Sequence, residues 1–418
     1  MRVLWITNIE FPEVTAELLG VNQLKSSGGW MIGSAEALLD NYKEVDLYVA
    51  SISRHVKGLR RVDGERIKYF LIPFGKGNLH YNAQYERYWH EVSDIIKPDV
   101  VHIHGTEYSH GLAYIKACGG NNVVISIQGL TSAYYYYYYY GLSRWDIVRH
   151  ITLRDIIRGT LFNEKNRFRK RGLYEIQMIK SVKHIIGRTS WDYSRVNAIN
   201  PSTKYHFCNE ILRPEFYEGN KWEYSKCIPH SIFFSQAHYP IKGFHQLLRA
   251  LPLLIDKFPD VEVFVGGRDI TRSQEGIIGN IKLGGYGAIV RSLIKKYQLG
   301  KRIHFLGNLD AREMVSQYLR CNVFVCSSTI ENSPNSLGEA QILGTPVVAS
   351  YVGGIPDMMV GDESHLYRFE ETTMLADRIS DVFSQGDKQI CMIQAAKTRH
   401  DAIVNASSLY HIYSEMIK

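Results

Sequence analysis

The sequence predicts an α/β protein built from two doubly wound domains. Three observations carry this. Short β-branched or aromatic runs alternate with longer stretches of helical spacing. The runs are continuously apolar, as parallel strands covered on both faces must be. The series also starts afresh near residue 230, after the polar, Pro- and Gly-containing stretch RPEFYEGNKWEYSKCIP at 213–229.

In the first half the expected strands are 2–7, 45–50, 68–72, 99–104, 122–127 and 182–187. In the second half they are 231–236, 261–266, 302–307, 322–327 and 346–350. The expected division is residues 1–212 and 213–402, with a cleft between the two domains. In such sheets ligands sit at the carboxyl ends of strands. The last segment, SSLYHIYSEMIK, spaces Leu409, Ile412 and Met416 as one helical face.

Composition sets the class. The 418 residues are 45% hydrophobic and 22% charged, with a formal net charge of +7. Six scattered cysteines without a C-x-x-C argue against a disulfide scaffold or a zinc site. No run approaches the roughly 18 apolar residues of a membrane span, and MRVLWITNIEFPE does not read as a signal peptide. A cytoplasmic protein is the expectation. No helix-turn-helix or RNA-binding signature is present, so nucleic acid is not an expected partner.

Much of the excess charge is local. Residues 144–171 hold nine Lys or Arg against three Asp or Glu, directly after the seven tyrosines Tyr134–Tyr140. Apolar residues occur all round the helical wheel, and Arg149 falls away from Arg144, Arg154 and Arg158, so no clean amphipathic helix is expected. The block reads either as a solvated face or as a contact for anionic lipid or a pyrophosphate-linked acceptor. The tyrosine run reads as ordinary surface or as an aromatic patch for a sugar or a lipid interface.

The chemistry concentrates in ENSPNSLGEAQILGTPVVASYVGGIPD, residues 331–357. NVFVCSS reads as a strand and SLGEAQIL as a helix, stopped by Gly344 and Pro346. The loop between them delivers a helix N-terminus, where free amides and the helix dipole favour an anion. Asn335 and Ser336 are the residues expected to present those amides, with Glu339 in the first turn. A carboxylate beside a phosphate site is best used on a vicinal diol, which donates twice. Glu331 and Glu339 then flank a diphosphate, one gripping a sugar and the other a ribose. Lys242, beside Gly243 after a strand, offers the phosphates a compact cation.

ENSPNSLGEA resembles the E-x7-E signature of retaining glycosyltransferases of family 4, which have the GT-B fold of two Rossmann-like domains facing a cleft. Gly28–Gly29, DVVHIHG (99–105), VVISIQG (123–129), PIKGF (240–244), FLGNLDAREMVSQYLRCNVFVCSS (305–328) and GTPVVASYVGGIPD (344–357) resemble further landmarks, in order. The resemblance implies a nucleotide diphosphate sugar as donor, with Lys242 on its phosphates. It puts Glu331 on the transferred sugar and Glu339 on the ribose. Main chain at Asn335, Ser336 and Leu337 would meet phosphate and sugar, and Gly307, Asn308 and Leu309 the base. Gly28 and Gly29 would approach the diphosphate from the other domain, and the helix at about 403–418 would cross back to the first. It implies retention at the anomeric carbon. There is no D-x-D, so neither a metal nor a cofactor is expected.

Two departures stand out. Ala237 occupies the position where the family commonly has an arginine, and Arg268 is the candidate substitute. Gln128 stands where many relatives have a histidine, so it is expected to contact the sugar but not to move a proton. His102 and His104 are expected on opposite faces of their strand, His104 toward the ligand and His102 packed. Arg188 is expected to pair with Asp192. The acceptor expected is a glycan, lipid-linked, at the inner face of a bacterial membrane, in capsule, lipopolysaccharide or exopolysaccharide synthesis. An epimerase or phosphorylase of the same fold is the alternative, and a nucleic-acid binder a remote one.

Overall fold

A computed structural model describes residues 1–20, 29–74, 81–272, 283–386 and 392–418. Gly28 lies outside them, as does Cys391. The chain divides into two compact units. The first comprises Met1–Ala133, Arg167–Arg213 and Arg399–Lys418; the second comprises Tyr134–Asn166 and Pro214–Thr398.

The first unit is built on eight strands: β1 (Arg2–Thr7), β2 (Asp46–Ser53), β3 (Arg60–Asp63), β4 (Lys68–Pro73), β5 (Val100–His104), β6 (Val123–Ser126), β7 (His184–Gly187) and β8 (Lys204–Phe207). Their order is β3-β4-β2-β1-β5-β6-β7-β8. Only β3 runs antiparallel, against β4. Helices cover both faces, so Val3, Leu4, Trp5 and Ile6 of β1 are all buried. The terminal helix Ala402–Met416 packs Leu409, Ile412 and Tyr413 into this unit. The Tyr413 hydroxyl sits between Trp5 Nε1 (2.9 Å) and His102 Nδ1 (2.5 Å).

The second unit holds β9 (Ser231–Phe234), β10 (Glu262–Val265), β11 (Ile303–Phe305), β12 (Val323–Cys326), β13 (Val347–Ser350) and β14 (Leu366–Tyr367), in the order β11-β10-β9-β12-β13-β14, all parallel. The helix Phe244–Lys257 spaces Phe244, Leu247, Leu248, Leu251 and Leu254 to face this sheet. Burying each such side chain is worth about 1.5–3 kcal/mol. The order reverses between β9 and β12, which makes the carboxyl ends of those two strands the switch point where ligands sit in such sheets.

Three strands escaped the sequence reading. β3 is RRVD, an edge strand that buries only Val62. β8 is KYHF, likewise with one buried residue. β14 has two residues. None offers a continuous apolar run.

The segment Tyr134–Asn166 differs from the expected division, since it groups with the second unit although the chain before and after it belongs to the first. The basic block is not one helix. It breaks into Arg144–Arg149 and Leu153–Arg158, each opened by a capping box, Ser143 with Asp146 and Thr152 with Asp155. Leu142 and Ile147 enter the apolar core of the second unit. The tyrosine run is mostly packed: Tyr138 is buried, and Tyr139 meets Phe162 edge-on at 5.7 Å.

Candidate functional site

In the second unit the two loops at the switch point converge. After β9 the chain makes a 3₁₀ turn, Pro240–Lys242, closed by Gly243 at φ 71°. A Cβ on Gly243 would overlap the Ser327 carbonyl oxygen of the loop after β12. Glycine therefore lets the two loops touch, and the Thr329 amide donates to the Ile241 carbonyl at 2.7 Å. This contact carries Lys242 to Glu331, Nζ to Oε1 2.6 Å. Ser328 Oγ donates to the same carboxylate oxygen at 2.8 Å. Both charged side chains are largely buried, 16% and 10% exposed. Burial alone would pull the Lys242 ammonium down, but the Glu331 carboxylate overrides it and holds it above the usual lysine range.

The GG of YVGGIPD explains itself here. The Gly354 amide donates to the Glu331 carbonyl at 3.0 Å. Gly353 sits at φ 53°, where a Cβ would strike that same carbonyl. Both glycines thus fix the backbone of Glu331. Gly243→Ala is accordingly expected to separate the two loops. It should lose ligand binding at the Lys242–Glu331 pair by about tenfold or more and destabilise the unit by at least ~1 kcal/mol for the positive φ alone. Calorimetric titration and chemical denaturation of the same sample measure the two losses.

The helix beginning at Asn335 runs to Leu343 behind Pro334, without a side-chain cap and without an acid in its first turn. Asn335 and Ser336 head it as expected. Leu337 is fully buried, so its main chain is what it can offer a ligand. Glu339 is the fifth residue, in the second turn and not the first. It is buried, with Tyr318 Oη 3.5 Å from its Oε2. The Gly307 carbonyl accepts the Gly267 amide at 2.7 Å, tying the Gly307–Leu309 loop to the loop after β10. Arg268, in that second loop, is exposed and faces a cavity of about 690 Å³ whose walls include Tyr239 and Pro240 of the lysine turn. Ala237 is buried in the core.

The first unit has its own polar cluster at the carboxyl ends of β1, β5 and β6. His102 and His104 share one face, rings stacked at 3.8 Å, because a strand repeats every two residues; the expectation of opposite faces is corrected. His102 is bonded to Tyr413 and to Ser126 Oγ (2.5 Å). His104 packs on Trp5 and leaves both ring nitrogens without a hydrogen-bond partner. Burial, with the nearby Arg188 guanidinium adding, lowers its pKa to about 3, so it is neutral at ordinary pH. Arg188 is corrected too. Its amide bonds Asp192, but its guanidinium pairs with Glu210 at 2.7 Å and donates to the Ile127 carbonyl. Gln128 Nε2 donates to the same Glu210 oxygen at 2.9 Å. Gly29 opens the helix Gly29–Asn41, and a Cβ there would meet the Arg213 side chain.

Three acids of this cluster were not singled out from the sequence. Glu210 anchors Gln128. Glu175, fully buried, accepts the amides of Thr131 (3.0 Å) and Ser132 (2.8 Å). Glu107 accepts the Gly129 amide at 3.2 Å, and burial pushes it up to about 7.

Residues 229–399 match the family model described as glycosyl transferases group 1. All but the last residue of that match lies in the second unit. The match spans the lysine turn, both glutamates and the Gly353–Gly354 clamp. Curated relatives align over part of the chain. Spore coat protein SA of Bacillus subtilis is 29% identical over 36% of this chain and 38% of its own length. The phosphatidyl-myo-inositol mannosyltransferase of Propionibacterium freudenreichii is 30% identical over 34% and 31%. The chain thus spans about a third of the length of these relatives. Solved structures align over nearly all of it. Sucrose-phosphate synthase from Thermosynechococcus elongatus is 15% identical with a TM-score of 0.68, covering 99% of this chain and 98% of that one. Anabaena Alr3699/HepE in complex with UDP is 14% identical with a TM-score of 0.62, covering 99% and 100%. These likenesses show the fold, GT-B.

Proposed function

We propose that this chain is a retaining glycosyltransferase that moves a hexose-type sugar from a nucleotide diphosphate sugar to a hydroxyl of a glycan acceptor. The observation that carries the reading is the Lys242–Glu331 pair at the switch point, followed directly by the uncapped helix Asn335–Leu343. A diphosphate placed there meets an ammonium and helix amides, which stabilise the negative charge growing on the leaving group. Glu331 is then released to accept from sugar hydroxyls. Glu339 takes the ribose diol, and the loop Gly307–Leu309 takes the base. Gln128, locked by Glu210, contacts the sugar without moving a proton. Arg268 supplies a second cation where Ala237 cannot. Lysine and amides suffice for these steps, so the reading calls for no metal.

Names of relatives guide the choice of substrates. Solved neighbours carry UDP or UDP-2-fluoro glucose, so uridine diphosphate sugars are the first donors to test. The phosphatidyl-myo-inositol mannosyltransferase is named for a lipid acceptor. That supports a lipid-linked saccharide at the inner face of a bacterial membrane, as in capsule, lipopolysaccharide or exopolysaccharide assembly.

A thermal-shift panel of UDP-, GDP-, ADP- and dTDP-sugars tests the donor. One class is expected to raise the midpoint, because a ligand bound only by the folded state adds RT ln(1 + [L]/Kd) to stability. No shift with any of them would reject the reading. Incubating the active donor without acceptor separates the epimerase, which would release a new nucleotide sugar.

A further inference from the structure

The inserted segment shows solvent far more apolar surface than its packing requires. It is held by Leu142 and Ile147 in the core of the second unit and by polar ties, two of them from Thr152 and Asp155. Thr152 Oγ1 donates to the Leu283 carbonyl at 2.7 Å, and Asp155 accepts the Gly285 amide at 3.1 Å. Outside these anchors, Trp145, Val148, Ile151, Leu153, Ile156 and Ile157 are all exposed, Ile156 by 74%, Ile157 by 67% and Trp145 by 66%. Single apolar residues on a surface need no explanation, but six within one short stretch do.

The charges in the same stretch are sorted by sign. Its two acids are both engaged with backbone amides, Asp146 as a helix cap and Asp155 as a cap that also accepts from Gly285. Arg144 and Arg149 are exposed, and each short helix closes on an arginine, Arg149 and Arg158. What the solvent meets is therefore apolar bulk among cations. That combination matches an anionic bilayer surface, with aromatic and aliphatic groups in the acyl boundary and guanidinium groups among the phosphates. The two helices are far too short to cross a bilayer, and no described helix is long and apolar enough to do so. A two-fold pairing of this patch with itself would set arginine against arginine, so a second copy of the chain fits it poorly.

We propose that the helix pair Arg144–Arg158 docks this protein on an anionic lipid leaflet. The surface belongs to the insertion carried by the donor-binding domain. The proposal rests on the glycosyltransferase reading for its purpose, since a lipid-linked acceptor lies in that leaflet, but not for its geometry.

Sedimentation of the full chain with vesicles tests it. Binding to phosphatidylcholine vesicles containing phosphatidylglycerol is expected, and little to phosphatidylcholine alone. The triple variant W145S/I156S/I157S should lower binding at least about tenfold, since each side chain forfeits its buried apolar area. The variant R144Q/R149Q should lose about fivefold per arginine, and added salt should weaken the wild type in the same way. All these positions are exposed, so the variants should keep the wild-type melting midpoint. Equal binding to neutral vesicles, or a serine triple that binds like wild type, overturns the proposal. So does a wild-type dimer in sedimentation equilibrium that the serine triple converts to monomer, because the patch would then be a self-interface. Donor thermal shifts are measured on the same samples. A wild type that binds anionic vesicles but no nucleotide sugar sinks the glycosyltransferase reading and leaves the docking surface standing.

Discussion

Replacing Lys242 with alanine is expected to cut sugar transfer by about 10²–10³-fold, the usual loss when one stabilising group is removed from a charge developing in the transition state. The same substitution should weaken the second unit by about 3 kcal/mol, the lower end of the cost of leaving one member of a buried ion pair alone. The lower end applies because the pair keeps a little solvent contact. Two losses with different origins can be pulled apart. The double variant K242M/E331M removes both charges and fills their space with apolar atoms, so it should recover most of the stability while transfer stays at the floor. Guanidinium titration reads the first and product formation from a labelled donor reads the second. Full stability with full activity in Lys242→Ala would remove this lysine from the mechanism. The sign of the pH dependence is also set. A lysine held above its ordinary range contributes stability below its unfolded value and loses it only as pH rises through the higher folded one. The ammonium is therefore charged across the neutral range, and its own titration does not alter activity there.

Legibility followed sequence distance. The elements of the second unit could be read because they are local. Glu331, Asn335, Ser336 and Glu339 lie within one loop and one helix, and the strand before them is a continuous apolar run. What could not be read is how they are held. Glu331 lies 89 residues from Lys242 along the chain, and nothing between them says that one carboxylate will be the lysine's partner. The need for Gly243 and Gly353 is a matter of carbonyl oxygens brought up by other loops. Glu339 slipped from the first turn to the second because the helix starts on Asn335 itself. In the first unit the gap is wider. Glu107, Glu175 and Glu210 come from three separate places and act only because the sheet gathers them. The error over His102 and His104 was of another kind, since the two-residue repeat of a strand already places both on one face. The insertion was visible as composition, but its capping boxes hide a break that a charge count does not reveal.

Breaking the Arg188–Glu210 pair is the second large effect expected, and it falls on the first unit. Both side chains are nearly sealed, 4% and 10% exposed. Glu210→Ala leaves a buried guanidinium without its carboxylate, with the Ile127 carbonyl still accepting from it. Such a variant should lose about 3–5 kcal/mol, or fail to accumulate as folded protein. Arg188→Met with Glu210→Leu removes the charge problem and should restore most of the fold. It should not restore the rate. Gln128 loses the carboxylate that accepts from its amide, and under the proposed reading a less firmly oriented side chain meets a sugar hydroxyl in fewer of its conformations. A rise in donor KM with a smaller fall in kcat is expected, because the contact is made in the bound ground state as well as in the transition state. The decisive comparison is a cycle with Gln128→Ala. If Glu210 acts on catalysis through Gln128, the kinetic cost of the Met–Leu pair should vanish once Gln128 is gone, giving a coupling of at least about 1 kcal/mol. If the costs simply add, the ion pair is scaffolding and Gln128 is positioned by something else.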